Sequence, residues 1–181
     1  MASVTQTEIS DAIVAASRKA FTGLFQEHPG EYYYCALVTS GEAHPPVVSA
    51  WSHEALSVAA AATQDPEEAR QDLKWSPADS PYYSYGSQHF RIVNALFAQR
   101  PRLTADLSEE EWAAEYELRL AAMEEAMARL DAEGIFGRGR KRLGLVVLVE
   151  VVPPDHTNTD RALRLNPPEA LGNWLEEAAE D

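Results

Sequence analysis

The sequence predicts an α+β domain in which a small, mostly antiparallel sheet of three or more strands packs with about five to six helices. Two runs lead there first: YYYCALVTS at 32–40 and LGLVVLVEVV at 143–152 carry the β-branched and aromatic residues of strands. Longer segments instead repeat apolar residues at steps of three and four, which lines one face of a helix. The chain of 181 residues, 45% hydrophobic and 24% charged, contains no repeat, low-complexity linker or composition break. Residues 1–181 therefore read as a single domain with one sizeable core.

Each element has its own signal. Ile9, Ala12, Ile13, Ala16, Ala20, Phe21, Leu24 and Phe25 predict an amphipathic helix over about 7–25, which HPG at 28–30 ends. The first strand, 32–40, runs into the turn GEAHPP, and VVSAW at 47–51 returns as its partner. Ser52 is placed to cap an alanine-rich helix, with Glu54 in its favourable first turn. Asp65 and Pro66 begin a further turn or short helix. Phe90, Val93 and Phe97 mark a helix that stops at Pro101.

Ser108 and Glu111 have the capping-box spacing at the head of the longest helix, whose stripe of Trp112, Tyr116, Leu120, Met123, Met127 and Leu130 continues to Gly134. Glu115 with Arg119 and Glu125 with Arg129, each at i, i+4, are expected on its solvated face. The run at 143–152 is almost continuously apolar. That suits the middle of a sheet covered on both faces, beside the first strand. A short helix around Arg161 and a last helix follow, with Asn166 as cap, Pro167 or Pro168 in the opening turn, and Leu171, Trp174 and Leu175 docking it.

Fifteen Lys and Arg against 29 Asp and Glu give a formal charge of −14, which opposes binding to nucleic acid or to an anionic membrane surface. The same charge favours solubility, or a basic protein as partner. The N-terminus lacks the basic start and apolar stretch of a secretory signal, and no run approaches a membrane span of roughly 20 residues, so a cytoplasmic location is expected. GRGRKR at 137–142 reads as a solvated turn, since its two glycines do not make the dinucleotide fingerprint.

No catalytic motif emerges. The lone Cys35 lies in an apolar strand, where a thiol behaves as a small hydrophobe, and pairing it with His53 or His89 as nucleophile and base would deny a substrate access. His156 and Asp160 have the spacing of helical metal ligands, but Asn158 between them looks like a helix cap. No catalytic residue, cofactor or metal is assigned.

The most distinctive segment is KWSPADSPYYSYG at 74–86. Its two prolines exclude both a helix and a central strand, leaving a structured loop. Trp75, Asp79, Tyr82, Tyr83 and Tyr85 are candidate binding residues, with Asn166 as a further polar contributor. Two explanations fit: the aromatics plug the core while Asp79 stiffens the turn, or the phenols and Asp79 face outward as a recognition surface. A concave pocket beside the loop holding a perturbed carboxylate would favour a small-molecule site or an enzyme of unrecognised type. A flat acidic patch away from it would favour a protein partner.

YYYCALVTSGE, KWSPADSPYYSYG, LDAEGIFGRG and RLNPPEALGNWL together resemble the bacterial domain-of-unknown-function 4303 family over about residues 8–178. WSPADSPYY is the most specific element, and Ser80 departs from the aromatic expected there. The resemblance implies a cytosolic bacterial protein with a shared α+β fold and supplies no catalytic residues. It also implies an immunity or partner role in a toxin locus, and the charge and missing catalytic motifs favour a non-enzymatic protein that masks a basic toxin.

Overall fold

The computed structural model describes residues 4–180. Helix α1 (Gln6–Glu27) opens on Thr5, whose hydroxyl accepts from the Glu8 amide while the Glu8 carboxylate accepts from the Thr5 N–H. The capped helix buries Ile9, Ile13, Ala20, Phe21 and Leu24. Strands β1 (Tyr32–Ser40) and β2 (Val47–Ser52) form the expected antiparallel hairpin, from Val38 opposite Val47 to Tyr32 opposite Ser52. A register irregularity between Tyr32 and Tyr34 lets Tyr33 and Tyr34 join one hydrophobic cluster.

Strand β3 (Val146–Val152) pairs with β1 in parallel, so the sheet is three-stranded and mixed, ordered β2-β1-β3. The expected neighbour is right, but β3 lies at an edge and not in the middle. Its continuous apolar run reports cover on both faces and is silent on the number of neighbouring strands. On one face Cys35, Leu37, Val48, Ala50, Val147 and Val149 pack against α1, α4 (Arg91–Phe97) and the long α5 (Glu109–Glu133). On the other, Tyr34, Ala36, Trp51 and Leu148 meet α2 (His53–Ala61) and α8 (Pro168–Glu177), through Leu56, Leu171 and Trp174. Short helices α3 (Pro66–Leu73) and α6 (Arg140–Leu143), a 3-10 turn (Ser87–Phe90) and α7 (His156–Leu165) complete the described chain. No helix among the described residues is long and apolar enough to cross a membrane.

The exposed side of β3 is closed by side chains of α7 and the residue that follows it. The Asn166 amide accepts from Val147 N–H at 2.8 Å and donates to Val147 O at 2.7 Å, and Asn158 treats Val151 the same way at 2.8 and 3.0 Å. Between them, Arg161 Nε donates to Val149 O at 3.0 Å. An open edge is a template for unwanted pairing, and these groups occupy it. Two cap assignments are thereby corrected: Asp155 caps α7, and Pro167, which offers no side-chain cap, stands before the first residue of α8. Leu175, expected to dock α8, is 38% exposed.

Two further expectations about charge are overturned. Glu115 and Arg119 are buried, not solvated, and Glu115 also accepts from Arg100. Both guanidinium groups also donate to carbonyls, Arg119 to Pro101 and Ala43 and Arg100 to Val4. Burial alone would raise the pKa of Glu115, but the two guanidinium groups outweigh it and hold the carboxyl below its usual range. Arg142, placed in a solvated turn by sequence, is likewise buried and donates to Asp131, Leu145 O and Asn166. The Glu125–Arg129 pair does stand on the exposed face.

Candidate functional site

The loop that follows α3 runs along the free edge of β2 and is tied to it. Trp51 Nε1 donates to Ser76 O and Ser49 Oγ to Pro77 O, both at 2.8 Å. The buried Ser80 hydroxyl donates to Ala50 O, and Ser84 N–H to Val48 O at 2.8 Å. A proline-rich segment cannot itself form a central ladder, so strand carbonyls and two β2 side chains hold it by single bonds. At its end Gly86 takes φ +68, and a Cβ there would come within 2.7 Å of Ala20 Cβ on α1. Only glycine permits that approach.

The loop's aromatic residues separate onto two sides. Tyr82 packs with His28 and Tyr32, at centroid distances of 5.1 and 6.0 Å, near the end of α1. Tyr85 donates to Glu27 at 2.5 Å, and the Glu27 carboxylate, then burial, push the phenol up to about 12. Tyr83 points outward at 46% exposure. Asp79 is exposed and accepts from Ser76 Oγ at 2.5 Å. Trp75 turns the other way, edge-on to Tyr33 at 5.4 Å, with its indole N–H on Glu177 at 2.7 Å. Asn166 is buried against β3 and shares no hydrogen bond with these groups among the described residues.

Trp75 forms one wall of a cleft of about 620 Å³ whose other walls are His53, Leu56, Arg70, Gln71, Lys74 and Glu177. The Ser52 cap starts α2 at His53, whose ring stacks on Tyr33 at 4.8 Å. Asp65 starts α3, which presents Arg70, Gln71 and Lys74 from its last turn and end. Lys74 Nζ lies 5.1 Å from the Trp75 ring centroid and donates to both Glu177 oxygens, at 3.0 and 2.7 Å. Lys74, then the Trp75 indole, hold the Glu177 carboxyl below its usual range. Arg70 donates to Ser57 Oγ at 3.2 Å. The result is a concave, partly aromatic site with convergent cationic donors in an acidic protein.

Sequence reasoning found Trp75 and missed its companions. Arg70 and Lys74 stand i, i+4, a detectable pairing of scarce cations, whereas Glu177 arrives from 102 residues downstream. The catalytic alternatives do not assemble. Cys35 is fully buried on the face covered by α1 and α5, and burial pushes its thiol pKa up. His53 sits instead at the cleft against Tyr33. Among the described residues no group of three metal-ligating side chains occurs.

Residues 13–167 match the model of a family described as a domain of unknown function, DUF4303. No curated protein and no solved structure matches the chain.

Proposed function

We propose that the chain, which belongs to the DUF4303 family, is a non-enzymatic, cytosolic binding protein that takes a small ligand in the cleft beside Trp75. The observation that carries this reading is the cleft itself, an aromatic wall with Arg70, Lys74 and Glu177 converging on about 620 Å³. That volume lies within the roughly 300–1,000 Å³ common for ligand sites, which pair apolar walls with a few placed polar groups. Catalysis has less support, because the thiol that sequence offered as nucleophile is sealed in the core. Gln71 is exposed on α3, so Gln71→Trp fills the cleft without disturbing buried packing. Metabolite extracts are expected to raise the melting temperature of the wild type and leave that of Gln71→Trp unchanged. Equal shifts, or none, would contradict the reading.

A basic protein partner is favoured by a separate observation. Among the described residues, seven of the 15 Lys and Arg side chains, including Arg18, Arg129 and Arg164, are tied up in ion pairs inside the chain, and Arg161 is buried. The charge left facing solvent is mostly carboxylate, the complement of a cationic surface such as a nuclease-like toxin would present. Exposed Tyr83 and Asp79 are loop residues available to such a partner.

A further inference from the structure

The cleft beside Trp75 already holds a carboxylate, its own. Glu177 lies in the last turn of α8, and its two oxygens receive Lys74 Nζ at 3.0 and 2.7 Å and the Trp75 indole N–H at 2.7 Å. An ammonium and an indole N–H converging on one carboxylate form a charge-assisted recognition element. The carboxylate sits at the mouth and not in the core, with its side chain 43% exposed. The tether is also the end of a helix. Beyond Glu177 the chain is held by Ala178 and Ala179 N–H on Trp174 O and by the Thr159 hydroxyl on Glu180 O. Releasing the Glu177 side chain breaks none of these bonds.

Resting on the reading of this cleft as a ligand site, we infer that the ligand carries a carboxylate, that Lys74 and the Trp75 indole bind it, and that Glu177 occupies its place until displaced. Arg70 supplies the additional cation that makes exchange favourable. Among the described residues its side chain, which lines the cleft, has only the neutral Ser57 hydroxyl as hydrogen-bond acceptor, so it is placed to engage an incoming anion. The Trp75 ring offers the apolar surface for the ligand's body. Glu177 thereby sets a threshold: weak carboxylates lose to the tethered one, and only a ligand with both the acid and a body that fits the wall prevails.

Benzoate is a suitable probe and benzamide its neutral control, each titrated into full-length protein in carboxylate-free buffer. The four tryptophans give four indole N–H resonances, and Trp75→Phe identifies the relevant one. In Glu177→Ala that resonance moves on loss of its acceptor, and benzoate returns it towards the wild-type position. Benzoate is expected to bind Glu177→Ala at least about tenfold more tightly than wild type, since the competing carboxylate is gone. Adding Lys74→Gln abolishes the gain, and Glu177→Gln, which keeps the helix end, shows an intermediate one. Equal benzoate affinity in wild type and Glu177→Ala would overturn the inference, as would benzamide binding as well as benzoate. Benzamide binding with movement of the Trp75 signal would leave the ligand cleft standing while removing its carboxylate preference. If neither probe moves that signal in any variant and metabolite extracts give no stabilisation, the ligand reading falls as well.

Discussion

Glu150 is a carboxylic acid in the core, facing the Tyr34 hydroxyl that donates to it. Burial pushes it up to about 7, against the pull of Tyr34 and Arg161. The unfolded chain releases that proton near pH 4.5, whereas the folded protein keeps it until about 7. Its contribution to stability is therefore full below the lower value and lost as pH rises through the upper one, on the order of 3 kcal/mol at most. Glu150→Gln retains an acceptor for Tyr34 and carries no charge. The variant is expected to be more stable than wild type at pH 8, with the gap closing towards pH 5, in denaturant melts at both values. Parallel profiles would contradict this. Glu115 works in the opposite direction, because its lowered pKa stabilises the fold above the usual carboxylate range and that stabilisation is lost in acid. Nothing in the sequence separates Glu115 from Glu125. An i, i+4 Glu–Arg pair reads the same on a solvated face as in a buried network, and only Arg100 and the covering carbonyls distinguish them.

Among the described residues both edges of the sheet are closed without further strands, β2 by the loop at 76–84 and β3 by Asn158, Arg161 and Asn166. Asn166→Ala strands the Val147 N–H and C=O. It is expected to cost about 1–3 kcal/mol and to accelerate hydrogen exchange at the Val147 amide. Unchanged stability would contradict this account of the β3 edge. Local elements were legible wherever a short-range rule governs them. Ser52, Asp65 and Ser108 mark their helix starts, and GEAHPP marks the β1–β2 turn. The edge closures were not legible, because an amide side chain standing in for a strand backbone leaves no periodic pattern. Asn158 and Asn166 consequently read as caps.

At the scale of the whole molecule, the layers follow from apolar patterning, but the cleft does not. It exists because α3, the loop and the last turn of α8 meet across about a hundred residues of chain. Trp75 was visible from composition, whereas Lys74 and Glu177 acquire meaning only from that meeting. The charge of −14 suits an acidic surface for a cationic protein, and the cleft suits a small anion, so one observation separates the two. Native mass spectrometry of the chain purified from its own cells, as wild type and as Gln71→Trp, tests the central claim most directly. A small-molecule mass on the wild type that is missing from Gln71→Trp is the predicted result. The bare chain mass in both, or a complex with a basic protein that Gln71→Trp leaves intact, would contradict it.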